Sequence, residues 1–312
     1  PSSYTSFCYG DGVYALPENQ GFQVLYYRTD IFEEYGLEVP ETWEDVYDII
    51  PELANSYMNF GYKAAPTNLF TLIFQRHGVL YQGEGELFGY KTGLDTDEAV
   101  AAFIHYVNLY RSYGVDLDID FTTRFRSGEV PLGIEDITQV NKLAISAPEI
   151  AGSWSFTLIP GVTFTVENGN DYVDHSVATS GNGTIILAKS DKQAESWEFI
   201  KWWSSDDIQI EYCAEVEATM GKANRIFSAN KAVVYTQGWS NEELNKILIA
   251  RSWTDGVDEV PGSYYTERHM QNAFTRTYNI RTDPRETLLD YIDEINLELT
   301  KKRVEFGLPT GE

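Results

Sequence analysis

The pair best placed to do chemistry in this chain is Glu135-Asp136, two adjacent acids at the end of an apolar run. Paired carboxylates roughly 5 to 10 Å apart across a sugar are the machinery of a glycosidase. The same two groups at a strand end also suit hydrogen bonding to a ligand, because strand ends border the clefts of α/β proteins. Asp116, Asp118 and Asp120 alternate as calcium ligands do, but the glycine and glutamate that an EF-hand loop needs do not follow at the right offsets, so they read as solvated loop acids. His77, His105, His175 and His269 are scattered without metal-ligand spacing, and Cys8 and Cys213 are far apart and read as two free thiols. There is no GxSxG, Walker loop, GxGxxG, HExxH or CxxC. Neither a metal nor a cofactor is expected, and binding is favoured over catalysis.

The other candidates are polar residues at bends. Glu18 and Gln20 lie in the turn from Pro17 to Gly21, Asn68 follows Pro66, and Ser180 and Asn182 lie in a run of small residues, Ala178-Thr179-Ser180-Gly181-Asn182-Gly183. Each side chain suits a sugar hydroxyl, and each equally suits a local turn. Tyr264 and Tyr265 follow Pro261-Gly262 at a helix start, with Arg268 one turn on. Aromatic faces stack on the C–H faces of sugars, and the chain has 21 tyrosines to draw on, whereas Trp43, Trp197 and Phe199 fall on helix faces and are expected in the core.

The elements that must hold these residues alternate between short strands and capped helices, the pattern of a mixed α/β architecture. Val13 to Leu16 is an apolar run closed by Pro17, and Phe22 to Tyr27 is rich in strand formers. Asp30 to Tyr35 is a helix stopped by Gly36, and Thr42 with Asp45 caps the helix that starts at Trp43. Thr96 caps a helix to about Tyr113, a strand runs from Val130 to Ile134, and Thr184 to Leu187 reads as a buried strand. Glu167 to Asp174 reads as a polar loop. Ser190 with Gln193 and Ser240 with Glu243 read as capping pairs, and Asp283-Pro284 with Glu286 opens a tail whose apolar stripe is Leu288, Ile292, Ile295 and Leu299.

The segment from Gly12 to Asp45, with its proline-closed strand, Tyr26-Tyr27, Asp30-Ile31-Phe32 and Pro40-Glu41-Thr42-Trp43, resembles the extracellular solute-binding proteins of ATP-driven importers, the sugar-type group that includes maltose-binding protein. Phe125 to Asp136, the turn Leu158-Ile159-Pro160-Gly161, and the helix Ala194 to Ser204 fit the same group, while residues 260 to 274 resemble a subgroup of large solute-binding lipoproteins. The resemblance implies a type II periplasmic-binding fold holding mostly the second lobe plus a segment of the first. It divides the chain into residues 1–17 as hinge strand and start of the crossover, 18–178 as the second lobe, 179–228 as crossover and first-lobe segment, and 229–312 as a helical return. Members of the group carry roughly a hundred residues ahead of the opening strand, about one lobe's worth. The start at Pro1-Ser2-Ser3-Tyr4 therefore reads as an internal boundary. Many sugar binders place an aromatic where Ile134-Glu135-Asp136 stands here, which leaves the ligand class open.

A net charge of −25, from 23 basic and 48 acidic residues in 312, argues against a nucleic-acid partner, which needs clustered Lys and Arg. No apolar run approaches the roughly 20 residues of a membrane span, and no signal peptide opens the chain. The expectation is a monomeric, non-catalytic carbohydrate-binding component of an importer. Its ligand is a small molecule, an oligosaccharide, held between lobes by hinge closure by Glu18, Gln20, Asn68, Glu135, Asp136, Ser180, Asn182, Tyr264, Tyr265 and Arg268. Its partners are the permease subunits, and its place is the cell envelope, lipid-anchored through the parent protein. The alternatives are a hydrolase built on Glu135 and Asp136, or a structural cell-surface domain.

Overall fold

The computed structural model describes residues 2–9, 12–166 and 169–311, with side chains from residue 4 onward except that of Tyr9; Pro1, and Glu167 and Asn168 of the expected polar loop, lie outside the described residues. The fold centres on a four-stranded sheet in the order Phe60–Tyr62, Leu132–Asp136, Gln23–Tyr27, Ser155–Thr157. The two middle strands are antiparallel with Leu25 opposite Ile134, while Phe60–Tyr62 runs parallel to Leu132–Asp136. Val24, Leu25 and Tyr26 are all fully buried. A strand buried on both faces reads as a continuous apolar run rather than an alternation, which is how the sequence marks it.

Helices cover the sheet. Trp43–Asn55 opens with a complete capping box, Thr42 accepting from the Asp45 amide and Asp45 accepting from that of Thr42, and buries Trp43, Val46, Ile49 and Leu53. The Trp43 indole donates to Gln75 Oε1 at 2.7 Å, so the ring fills the core without leaving its N–H unpaired. Pro66–Phe74 and Asp97–Arg111 form the next layer, and Ser263–Ile280, Pro284–Asp290 and Ile292–Glu305 close it from the C-terminal side. The tail stripe Leu288, Ile292, Ile295 and Leu299 is buried as its spacing predicts. The caps at Thr96, Ser240 and Asp283 form as expected.

Several expectations are corrected. The strand expected from Val130 begins at Leu132 and continues to Asp136, because its register is fixed by Gln23–Tyr27 rather than by the turn before it. Ser190 and Gln193 do not form a capping box: the helix starts at Gln193 with Lys192 as its cap residue, Ser190 Oγ accepts from the Lys192 amide instead, and Gln193 donates to the Ala188 carbonyl. Of the run Thr184 to Leu187 expected as a buried strand, only Thr184 is paired, as the end of the strand Gly183–Thr184, and Leu187 is 67% exposed. Trp197 and Phe199, expected in the core, are 47% and 56% exposed, since among the described residues that side of the helix Gln193–Trp203 is left largely uncovered.

Candidate functional site

Three chain segments lie side by side at one edge of the main body. Gly21 and Ser180 exchange both backbone hydrogen bonds at 2.7 and 2.9 Å, the Glu18 amide donates to Asn182 O, and Leu16–Pro17 pairs with Gly183–Thr184. The third segment joins through the Gln20 amide to Phe227 O and the Ala229 amide to Glu18 O. The glycines explain the close approach. A Cβ on Gly181 would sit 2.4 Å from the backbone oxygen of Asn19, and one on Gly21 would sit 2.6 Å from Ser180 Oγ. Beyond this junction lie the helices Gln193–Trp203 and Asp206–Met220.

Two cavities flank the junction. The larger, about 490 Å³, is lined by Phe7, Tyr14, Phe70, Ser180, Glu259 and Glu267 among others. The smaller, about 220 Å³, lies over Glu18, with Trp203 and Asn230 in its wall. Glu18 is committed within that wall: its Oε1 accepts from the Trp203 indole at 3.0 Å and from the Thr184 hydroxyl. The larger cavity combines aromatic faces, small hydroxyls and carboxylates, a set suited to a polyhydroxylated ligand of a few rings.

Of the ten expected ligand residues, Ser180 lines the larger cavity and Glu18 the smaller. Asn182 is exposed at the junction, where its amide donates to Asn19 Oδ1. Gln20 is 4% exposed and pinned, its Nε2 donating to Thr254 Oγ1 and its Oε1 accepting from Arg251 Nε, both at 3.0 Å. Asn68 is 1% exposed, with its amide held between Gln23 and the Lys63 carbonyl. Both side chains brace the walls instead of reaching the cavity.

Glu135 and Asp136 occupy successive positions of one strand, so they point to opposite faces of the sheet. Asp136 Oδ1 accepts from the Thr138 amide and hydroxyl, and burial raises the Glu135 carboxyl above its usual range. They do not face each other across a gap as a glycosidase pair does. Tyr264 donates to Glu298 on the tail helix, and the Arg268 guanidinium lies 5.7 Å over the Tyr265 ring; all three lie outside the lining of either cavity.

The residues that sequence reasoning passed over are Tyr14, Phe70, Glu259 and Glu267. The two acids flank the Val260-Pro261-Gly262 turn that sequence had singled out, Glu259 just before it and Glu267 one helical turn into Ser263–Ile280. Burial and the neighbouring Glu259 raise the Glu267 carboxyl, and burial, Asp255 and Glu259 push Asp258 up to about 6. The acids of the 116–120 run are ordinary: Asp116 and Asp118 pair with Arg124 and Lys63, and Asp120 caps Phe121–Ser127. Cys8 and Cys213 are free thiols. Among the described residues no three His, Cys, Asp or Glu side chains cluster as metal ligands do, and no helix is long and apolar enough to cross a membrane.

Comparison with known proteins gives a consistent result. The family model of the bacterial extracellular solute-binding proteins matches residues 1–210. Among solved structures, the sugar-binding protein MalE of Xanthomonas citri superposes with a TM-score of 0.75 at 14% identity, covering 98% of this chain and 76% of that one. A solute-binding protein of an ABC transporter from Thermotoga lettingae, bound with α-D-tagatose, gives 0.71 at 17% identity over 95% and 75%. The GacH receptor of Streptomyces glaucescens, solved unliganded and with acarbose, gives 0.71 at 16% over 96% and 74%. The fold is thus the α/β periplasmic sugar-binding type, as the sequence predicts.

Proposed function

Because this chain belongs to the bacterial extracellular solute-binding proteins, we propose that it is the sugar-capturing component of an ATP-driven importer, holding an oligosaccharide without chemistry in the cavity beside its triple crossing. The observation that carries the reading is that crossing. Three adjacent segments, around Glu18, Asn182 and Ala229, join the main body to the unit beyond it, and a cavity of sugar-binding character opens next to them. Segments that cross side by side bend together, so the junction suits a hinge. A ligand touching both sides adds contacts only in the closed arrangement and shifts the equilibrium towards it by that difference in affinity. The closed form is then what the permease subunits recognise, at the cell envelope, with a lipid anchor holding the protein there.

In this reading residues 18–178 and 229–312 form one lobe, residues 1–17 lead into the hinge, and 179–228 belong to the other. The exposed apolar side chains Ile185, Leu187, Trp197, Phe199 and Trp202 form the face on which the rest of that other lobe packs. About a quarter of each aligned solved structure lies outside the region it shares with this chain, which supports the assignment. A chain presenting one wall of the cleft should bind neutral oligosaccharides with a Kd of about 1 mM, near −4 kcal/mol. Titration of maltotetraose followed by NMR shifts of Tyr14, Ser180 and Thr179, with mass spectrometry of the sugar afterwards, tests this. Cleavage of the sugar, or shifts confined to Glu135 and Asp136, would reverse it in favour of the hydrolase.

A further inference from the structure

The larger cavity carries a charge pattern that neutral sugars do not require. Glu259 and Glu267 line it, and among the described residues its lining contains no lysine, arginine or histidine. Asp255 and Asp258 precede Glu259 in the same stretch, close enough that Asp255 and Glu259 act on Asp258, and Glu259 acts on Glu267. None of these four acids has a basic side chain within ion-pair distance among the described residues; Glu259 Oε2 accepts only from the Ser263 hydroxyl, at 2.5 Å. Acids do meet bases at other places in the chain, as at Arg124 with Asp116 and Glu129. The aromatic faces of Phe7, Tyr14 and Phe70 complete the wall.

Resting on the reading of this cavity as the ligand site, we propose that its ligand is a carbohydrate bearing a protonated amine, an amino sugar, with Glu259 and Glu267 setting that specificity. A neutral ligand would remove water from the two carboxylates and leave like charges crowded together, which carries a desolvation cost. An ammonium group between them cancels that repulsion, and the aromatic faces attract both the cation and the C–H face of the ring. At an effective dielectric near a protein surface, opposite unit charges about 4 Å apart attract by more than a tenfold preference needs.

Calorimetry or NMR titration of the whole chain at about pH 6, where the amine is charged, tests this with three tetramers: fully deacetylated glucosamine, its N-acetylated counterpart, and maltotetraose. Wild type should bind the deacetylated tetramer at least tenfold more tightly than the other two. The double variant E259Q/E267Q should lose that preference, its affinity for the deacetylated tetramer falling at least tenfold to the level of the neutral tetramers. Should the double variant fail to fold, raising wild-type protein to about 1 M salt must shrink the preference by screening. Equal or tighter binding of the acetylated or neutral tetramer overturns the amine specificity and leaves the cavity reading standing. A preference that survives both the substitutions and the salt also overturns it, and binding of none of the three overturns both.

Discussion

Replacing Gln20 with leucine separates bracing from ligand contact at the junction. The side chain is buried, joined to Arg251 Nε and Thr254 Oγ1, while Arg251 Nη2 reaches the Ser228 and Ala229 carbonyls of the third crossing segment. Leucine keeps most of the volume but withdraws the acceptor from a guanidinium that stays buried. A lost charge-assisted bond there costs about 2 kcal/mol, and the bond to the threonine adds a few tenths to 1 kcal/mol. A chain of 312 residues has an unfolding entropy of about 0.65 kcal/mol/K, so about 2.5 kcal/mol lowers the melting temperature by about 4 °C. Gln20→Glu retains an acceptor for Arg251 and should stay within about 1 kcal/mol of wild type. Calorimetric melting of the three proteins, paired with the maltotetraose titration, gives the answer. If Gln20→Leu melts within about 1 °C of wild type yet loses sugar binding, the residue contacts ligand and the bracing account is wrong.

Two further outcomes follow from the same surroundings. Asp258 is raised to about 6 by burial and by Asp255 and Glu259, so between about pH 4 and 6 the folded chain binds more protons than the unfolded one and stability falls as pH rises. Asp258→Asn should therefore stabilise the protein at pH 7 by about 1 kcal/mol after solvent screening, and by nothing near pH 3.5; urea midpoints at the two pH values check the sign. Gly181→Ala drives a Cβ onto the Asn19 backbone oxygen, 2.4 Å away, and should cost about 1 to 3 kcal/mol by forcing the first two crossing segments apart; hydrogen exchange should speed up at Gly21 and Ser180 while the central sheet stays protected.

What was legible in the sequence was local or periodic. The Thr42 and Asp45 box is written within four residues, and the burial of Val24 to Tyr26 follows from an unbroken apolar run. Trp197 and Phe199 show the limit of that logic: an apolar stripe marks a helix face without telling whether that face is covered among the described residues. The larger cavity was illegible for another reason. Its wall draws on residues 6–8, 14–15, 67–70, 179–185 and 257–267, and only folding brings Glu259 and Glu267 opposite Tyr14. The expected ligand residues Gln20 and Asn68 stand at the right bends, yet which way a polar side chain turns at a bend depends on the buried partner it finds, here Arg251 and Gln23.

The order of strands in the central sheet also governs when that sheet can exist. Gln23–Tyr27 lies in the middle, but both of its partners, Leu132–Asp136 and Ser155–Thr157, come more than a hundred residues later. Closing so long a loop costs entropy before any contact repays it, so formation is slow relative to local helices. A chain emerging from the N-terminal end therefore holds Val24, Leu25 and Tyr26 unpaired through the making of five helices, and a helper that shields one short β-segment would do more for its yield than one that assists any helix.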